Sequence, residues 1–238
     1  MTMVATMVSW HGDPTLKAKY LARVEAHRLA DQLIQGVGFE GGKGCAVGCT
    51  FDNYDHSRGP IKIGVPEWLM RLEDVIFEGL PKGAAMLWPT QFLEAIPVGT
   101  NLEPVRWRLA ILRHKRQLEV LATNPEPYAR EVEQALHLTI SYCEMMLTAP
   151  ESAAGSANWA SISASISASI DTAESAEKSA ANSARSAANS AANSAAYSAD
   201  ADSANSAISA AYSAAGSAHY EWEAETLLLL LRETAITI

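Results

Sequence analysis

The stretch PEWLMRLEDVIFEGL, residues 66–80, decides the class of fold. Its leading proline has a ring-fixed φ that suits a first helical turn and lacks an N–H that such a turn leaves unsatisfied anyway. Behind it Trp68, Leu69, Leu72, Ile76 and Leu80 recur at the steps of a helix with one apolar face. Glu67, Arg71, Asp74 and Glu78 form a second row. Such a row is ordinarily solvated and ion-paired; turned toward a neighbouring loop it becomes a polar pocket wall.

The same punctuation recurs on either side. Pro89, Pro104 and Pro127 precede apolar periodic runs and predict helices near 89–96, 104–122 and 127–147. Toward the N-terminus, Asp13-Pro14 reads as an N-cap and first turn, and Gly36 as the stop. Leu16, Tyr20, Val24, His27 and Ile34 then fall largely on one face. Residues 51–64 are polar and turn-rich, with Ile61–Ile63 read as one short strand. The expected fold is mainly α. A helical globular domain over residues 1–150 carries one Gly/Cys-rich loop, residues 151–218 form a Ser/Ala helical repeat, and residues 219–238 form a capping helix.

Composition separates the same parts. Residues 1–150 hold four of the six Trp, all ten Pro and all three Cys, which is core-forming chemistry in a segment long enough to bury a core. Three cysteines, with Cys45 and Cys49 so close, are no secreted disulfide framework, and Cys143 has no assigned role. No apolar run is long enough for a bilayer, and the N-terminus lacks the basic-then-apolar pattern of a leader. A cytoplasmic protein without a membrane partner is expected. Net charge is −9, and residues 151–238 carry 3 basic against 10 acidic side chains. Any anionic partner therefore has to be met by the N-terminal part.

In the repeat, residues 152–218 contain 19 Ser and 26 Ala among 67 positions and no proline. Ser-Ala recurs at steps averaging a little under four, as from Ser175 to Ser198, close to an 11-residue helical period. A continuous helix would be roughly 100 Å long at about 1.5 Å per residue. Small side chains bury little apolar area, so the repeat is expected to pack closely, by folding back or by self-association. The phase break across residues 198–203 is the expected kink or turn.

Three candidate sites emerge from the globular part. Residues 36–50, GVGFEGGKGCAVGCT, hold six of the fourteen glycines. Gly36-Val-Gly38-Phe-Glu-Gly41 follows a helix where a dinucleotide fingerprint needs a strand, and Lys43 is followed by Gly44 where a P-loop needs Ser or Thr. What remains is a glycine-dense backbone whose N–H groups could cradle an anion, with Gly42, Gly44 and Lys43 supplying loop and charge and His27 and Arg71 completing the set. Zinc could be held by Cys45, Cys49, His27 and His56, although C-x₃-C without a second pair is not a standard spacing. Catalysis could use Cys45 or Cys49 as nucleophile and His27 as base, oriented by Asp31 four residues on. The basic run from Arg106 to Arg116 has one interleaved aromatic and belongs to an acidic protein, so nucleic acid is not an expected partner.

The strings AHRLAD, GKGCAVGCT, GVPEWLMRLED with IFEGL, and WPTQFLEAI, followed by an Ala-rich repeat and a Leu-rich end, resemble a family of uncharacterised bacteriophage and bacterial proteins. The resemblance runs from His11 to about Leu102, and extends to the repeat only in style. It implies a phage-associated setting, and cytoplasm of the host cell, but no chemistry. The family pattern places His27, Asp31, Lys43, Cys45, Cys49, Arg71, Glu73 and Asp74 within those strings. Three functions follow as expectations: an accessory module binding a small anionic ligand such as a nucleotide with the repeat as scaffold, a structural stalk, or a Cys/His-dependent or zinc hydrolase.

Overall fold

The computed structural model describes residues 7–123, 129–148 and 201–234. The protein is mainly helical, with a single two-stranded sheet among the described residues. The helices are α1 (Pro14–Leu29), α2 (Ala46–Phe51), α3 (Arg58–Ile63), α4 (Glu67–Gly79), α5 (Lys82–Ala95), α6 (Glu103–Thr123), α7 (Ala129–Thr148) and α8 (Ala201–Thr234). The sheet is a hairpin of β1 (Phe39–Glu40) and β2 (Lys43–Gly44). No described helix is long and apolar enough to cross a membrane.

The described residues fall into two compact units. One runs to Arg106 and resumes at Ser217; the other spans Trp107–Gly216. In the first, α5 packs on both α1 and α4, and α2 lies against the same two helices. Trp10, Val24, Phe77, Trp88 and Phe92 form the heart of its core, each at most 1% exposed. Burying a large apolar side chain contributes about 1.5–3 kcal/mol. That gain offsets the left-handed backbone of Trp10, at φ 57, whose buried indole donates to the Ile96 carbonyl at 3.1 Å. The last part of α8 joins this unit through buried Leu227, Leu230 and Leu231. The Tyr220 ring lies against Gly79 so closely that a β-carbon there would sit 2.3 Å from it. α8 is unbroken through Gly216.

The second unit is built on α6 and α7, joined by Ile111, Ile140 and Cys143 with Trp107, Leu118 and Met146 packed around them. Cys143 is thus a packing residue. Residues 151–200 lie outside the described residues, and with them the choice between one long helix and a hairpin.

Four local expectations are corrected. α1 starts as read, with Asp13 accepting from the Thr15 N–H at 2.7 Å, but ends at Leu29 rather than near Gly36. Asp31 takes φ 52, and a left-handed residue ends the helical ladder. The following residues pair with β2 instead: Ile34 donates to the Gly44 carbonyl at 2.8 Å, and Gly44 to Gln32 at 3.0 Å. Ile61–Ile63 is helix, not strand. Ile63 is fully buried while Ile61 is 72% exposed, whereas a strand would turn both to one side. The helix expected at Pro89 starts at Lys82, leaving Pro89 buried in its interior. Finally, residues 36–50 are not one loop but a hairpin followed by α2.

Candidate binding site

The site begins with glycine. Gly41 and Gly42, at φ 58 and 80, form the two-residue turn between β1 and β2, a geometry that favours residues without a β-carbon. Behind the hairpin, the Gly38 carbonyl oxygen is tucked against α2. A β-carbon on Gly44 would lie 2.2 Å from it, and one on Gly48 only 2.0 Å. Close backbone packing accounts for Gly44 and Gly48, and several N–H groups of the segment have acceptors within the protein. Gly36 donates to Glu78 Oε2 at 2.7 Å, Cys45 to the Val37 carbonyl at 2.7 Å, and Gly48 to Cys45 Sγ at 3.4 Å. Gln35 meanwhile donates from Nε2 to the Phe77 and Leu80 carbonyls at 2.7 and 2.9 Å, holding residues 35–38 on the end of α4.

This stitching opens a cleft of about 380 Å³ lined by Gly36, Val37, Gly38, Tyr54, Asp74 and Glu78. Of the polar row on α4, Asp74 and Glu78 face the cleft, whereas Glu67 and Arg71 form an exposed ion pair at 2.6 Å. Asp74 Oδ2 accepts from Tyr54 Oη at 2.9 Å and lies 3.2 Å from His56 Nε2. The two rings meet edge-to-face with centroids 5.0 Å apart. Asp74 Oδ1 is buried and has no hydrogen-bond partner. Cys45, at the N-cap of α2, completes the group: its Sγ and one carboxylate oxygen each from Asp74 and Glu78 all lie within 4.8 Å of one another.

Electrostatics here are one-sided. Behind the cleft Glu73 is fully buried, and neither carboxylate oxygen has a partner. Burial first, then Asp74 and Glu78, holds its carboxyl well above the usual range. Burial likewise pushes up Glu78. It raises Tyr54 to about 12, with the bond to Asp74 adding to the effect. The Cys45 thiol is pushed up by burial and then by its hydrogen bond to the Asp74 carboxylate, and Cys49 goes up to about 11 by burial. Among the described residues no lysine or arginine pairs with Glu73, Asp74 or Glu78.

The other residues singled out in the sequence lie elsewhere. His27 and Asp31 do not pair: His27 Nδ1 is 2.7 Å from Gln32 Oε1, and its Nε2 is 3.2 Å from Asp52. Asp52 also binds Arg23 at 3.2 Å, and Arg23 reaches the Thr50 carbonyl at 3.1 Å, so this is a polar tie between α1 and α2. The Cys49 thiol points at the Gln32 and Gly44 carbonyls, 3.6 and 3.5 Å away. Lys43 is exposed on the hairpin, and Lys43, Gly42, Gly44, His27 and Arg71 are all absent from the cleft lining. Of the sulfur and imidazole ligands considered for zinc, Cys45 and His56 both flank Asp74, while Cys49 and His27 have the partners just described. Tyr54 and the closing role of Gly38 were not legible in the sequence. Tyr54 and His56 do stand in a polar string, Asp52-Asn-Tyr-Asp-His56, whose density was the available signal.

Comparison with protein-family models, with curated protein sequences and with solved structures gives no match to this chain.

Proposed function

We propose that the first unit is a binding module that takes a positively charged ligand in the cleft between residues 36–38 and α4. The observation that carries this is the buried, unpartnered Oδ1 of Asp74, set beside Glu78 and Cys45 with no lysine or arginine among the described residues to balance them, and with His56 meeting only Oδ2. A buried carboxylate oxygen left without a partner is costly, and a cation supplies the missing interaction. The same charge opposes a free phosphate or nucleotide, as two carboxylates line the space an anion would enter. Thiol catalysis has less support, because burial pushes both nearby thiols up and so disfavours the free thiolate that would be the nucleophile. The Ser/Ala repeat is then the scaffold or self-association element of the module.

A thermal-shift series tests the reading, with zinc chloride, agmatine, AMP and inorganic phosphate against the full chain and Asp74→Asn. A cation should raise the melting temperature of the wild type and not of the variant. Stabilisation by AMP or phosphate alone, unchanged in Asp74→Asn, would overturn it.

A further inference from the structure

We infer that the cation of this cleft is a divalent transition metal of the zinc class, held by Cys45 Sγ and the carboxylates of Asp74 and Glu78. The inference rests on the cation-binding reading above and specifies its ligand. The first argument is the donor set. A thiol beside two carboxylates suits a borderline-soft ion such as zinc or cobalt(II), whereas calcium and magnesium take oxygen donors throughout.

Geometry supplies the second argument. The three donor atoms lie within 4.8 Å of one another without any ion between them. Tetrahedral zinc, with ligand bonds of about 2.0–2.3 Å, needs donors roughly 3.5 Å apart. No edge therefore has to close by more than about 1.3 Å, and rotation of exposed Glu78 can shorten the two edges it shares. Three protein ligands leave one position of a tetrahedron for water or a further ligand.

Third, the surroundings have the form of an outer shell. Tyr54 and His56 hold Asp74 through Oδ2 and leave Oδ1 without a partner. The Gly36 N–H likewise reaches one oxygen of Glu78, Oε2. Fixing a ligating carboxylate through one oxygen orients the other and strengthens the site. On binding, the Cys45 thiol forms an S–metal bond and its proton passes to solvent. No redox change is involved.

Cobalt(II) titration of the chelator-treated full chain tests the inference, followed by absorbance and metal analysis. One cobalt per chain is expected, with a thiolate-to-metal charge-transfer band and d–d bands of four-coordinate intensity. Cys45→Ser should abolish the charge-transfer band and weaken binding at least tenfold; serine keeps the N-cap of α2, so the fold is preserved. Glu78→Gln, at an exposed position, should weaken binding similarly with the band retained. Cys49→Ser, outside the cluster, should bind as the wild type does. A band that survives Cys45→Ser but not Cys49→Ser would overturn the assignment. Absence of cobalt binding beside stabilisation by agmatine sinks the metal and leaves the cation cleft standing. Absence of both sinks the two together.

Discussion

In residues 36–50 the backbone itself is the packing material, because the Gly38 carbonyl occupies the space that β-carbons of Gly44 and Gly48 would need. In the α6–α7 unit side chains are the packing material, with Ile111, Ile140 and Cys143 buried together. The first arrangement brings peptide groups, a thiol and two helices close enough to shape a cleft, and tolerates almost no added volume. The second responds to volume gradually, as side chains around a cavity relax. Sites that need several polar groups within a few ångströms favour the first kind of construction, and helix pairs that need only adhesion can use the second.

The sharpest way to break this comparison is one methyl group. Gly48→Ala places a β-carbon 2.0 Å from the Gly38 oxygen, a backbone atom that cannot swing aside. We expect a loss of about 3 kcal/mol or more, with the cleft distorted. The same substitution at Gly83, inside α5 with open space around it, should instead stabilise by up to about 1 kcal/mol. Thermal melts of the two variants should move in opposite directions; a small loss at Gly48 would mean that the backbone contact is not what shapes the segment.

Ile140→Ala in the second unit should cost about 2–4 kcal/mol, as a buried aliphatic group is lost and the cavity partly collapses. Denaturant melts would measure it, and a cost below about 1 kcal/mol would show that α6 and α7 are held by something else. The smallest effect concerns His114, which is buried beside Gln117 with its pKa pushed below 6.5 by burial. The folded chain then prefers the neutral imidazole, so its contribution is present above pH 6.5 and is lost as pH falls through the folded value. Melts from pH 7.5 down to about 5 should fall by no more than a few degrees from this source. His114→Gln should flatten that part of the decline; an unchanged slope would assign the acid sensitivity to other groups.

Residues 66–80 were readable because proline, the apolar stripe and the polar row all agree on one helix. The polar row, ordinarily a solvated face, divides: Glu67 and Arg71 form an exposed ion pair, while Asp74 and Glu78 line the cleft. His27 and Asp31 misled for the opposite reason. Their four-residue spacing implies a shared face only while the helix continues, and the left-handed turn at Asp31 ends it. Nothing in Ala-His-Arg-Leu-Ala-Asp marks that stop, because it is imposed by the pairing of residues 32–34 with β2. Ile61–Ile63 failed in the same way: two isoleucines with one residue between them fit a strand locally, and only the partners around Ile63 decide otherwise.

What the sequence determined by itself is what local chemistry encodes: the mainly helical class, the start of α1 at Asp13-Pro14, α4 behind Pro66, α6 near Pro104, and the unusual demand for glycine between 36 and 48. Proline geometry, capping and periodicity act within a few residues of one another, so they are visible in order along the chain. Tertiary structure decided what the glycines are for, which histidine meets which carboxylate, and that Cys45 faces Asp74 and Glu78 on a different helix. Those outcomes depend on distances between segments far apart in the chain, set by how the helices pack around Trp88 and Phe77, and no spacing along the sequence contains them.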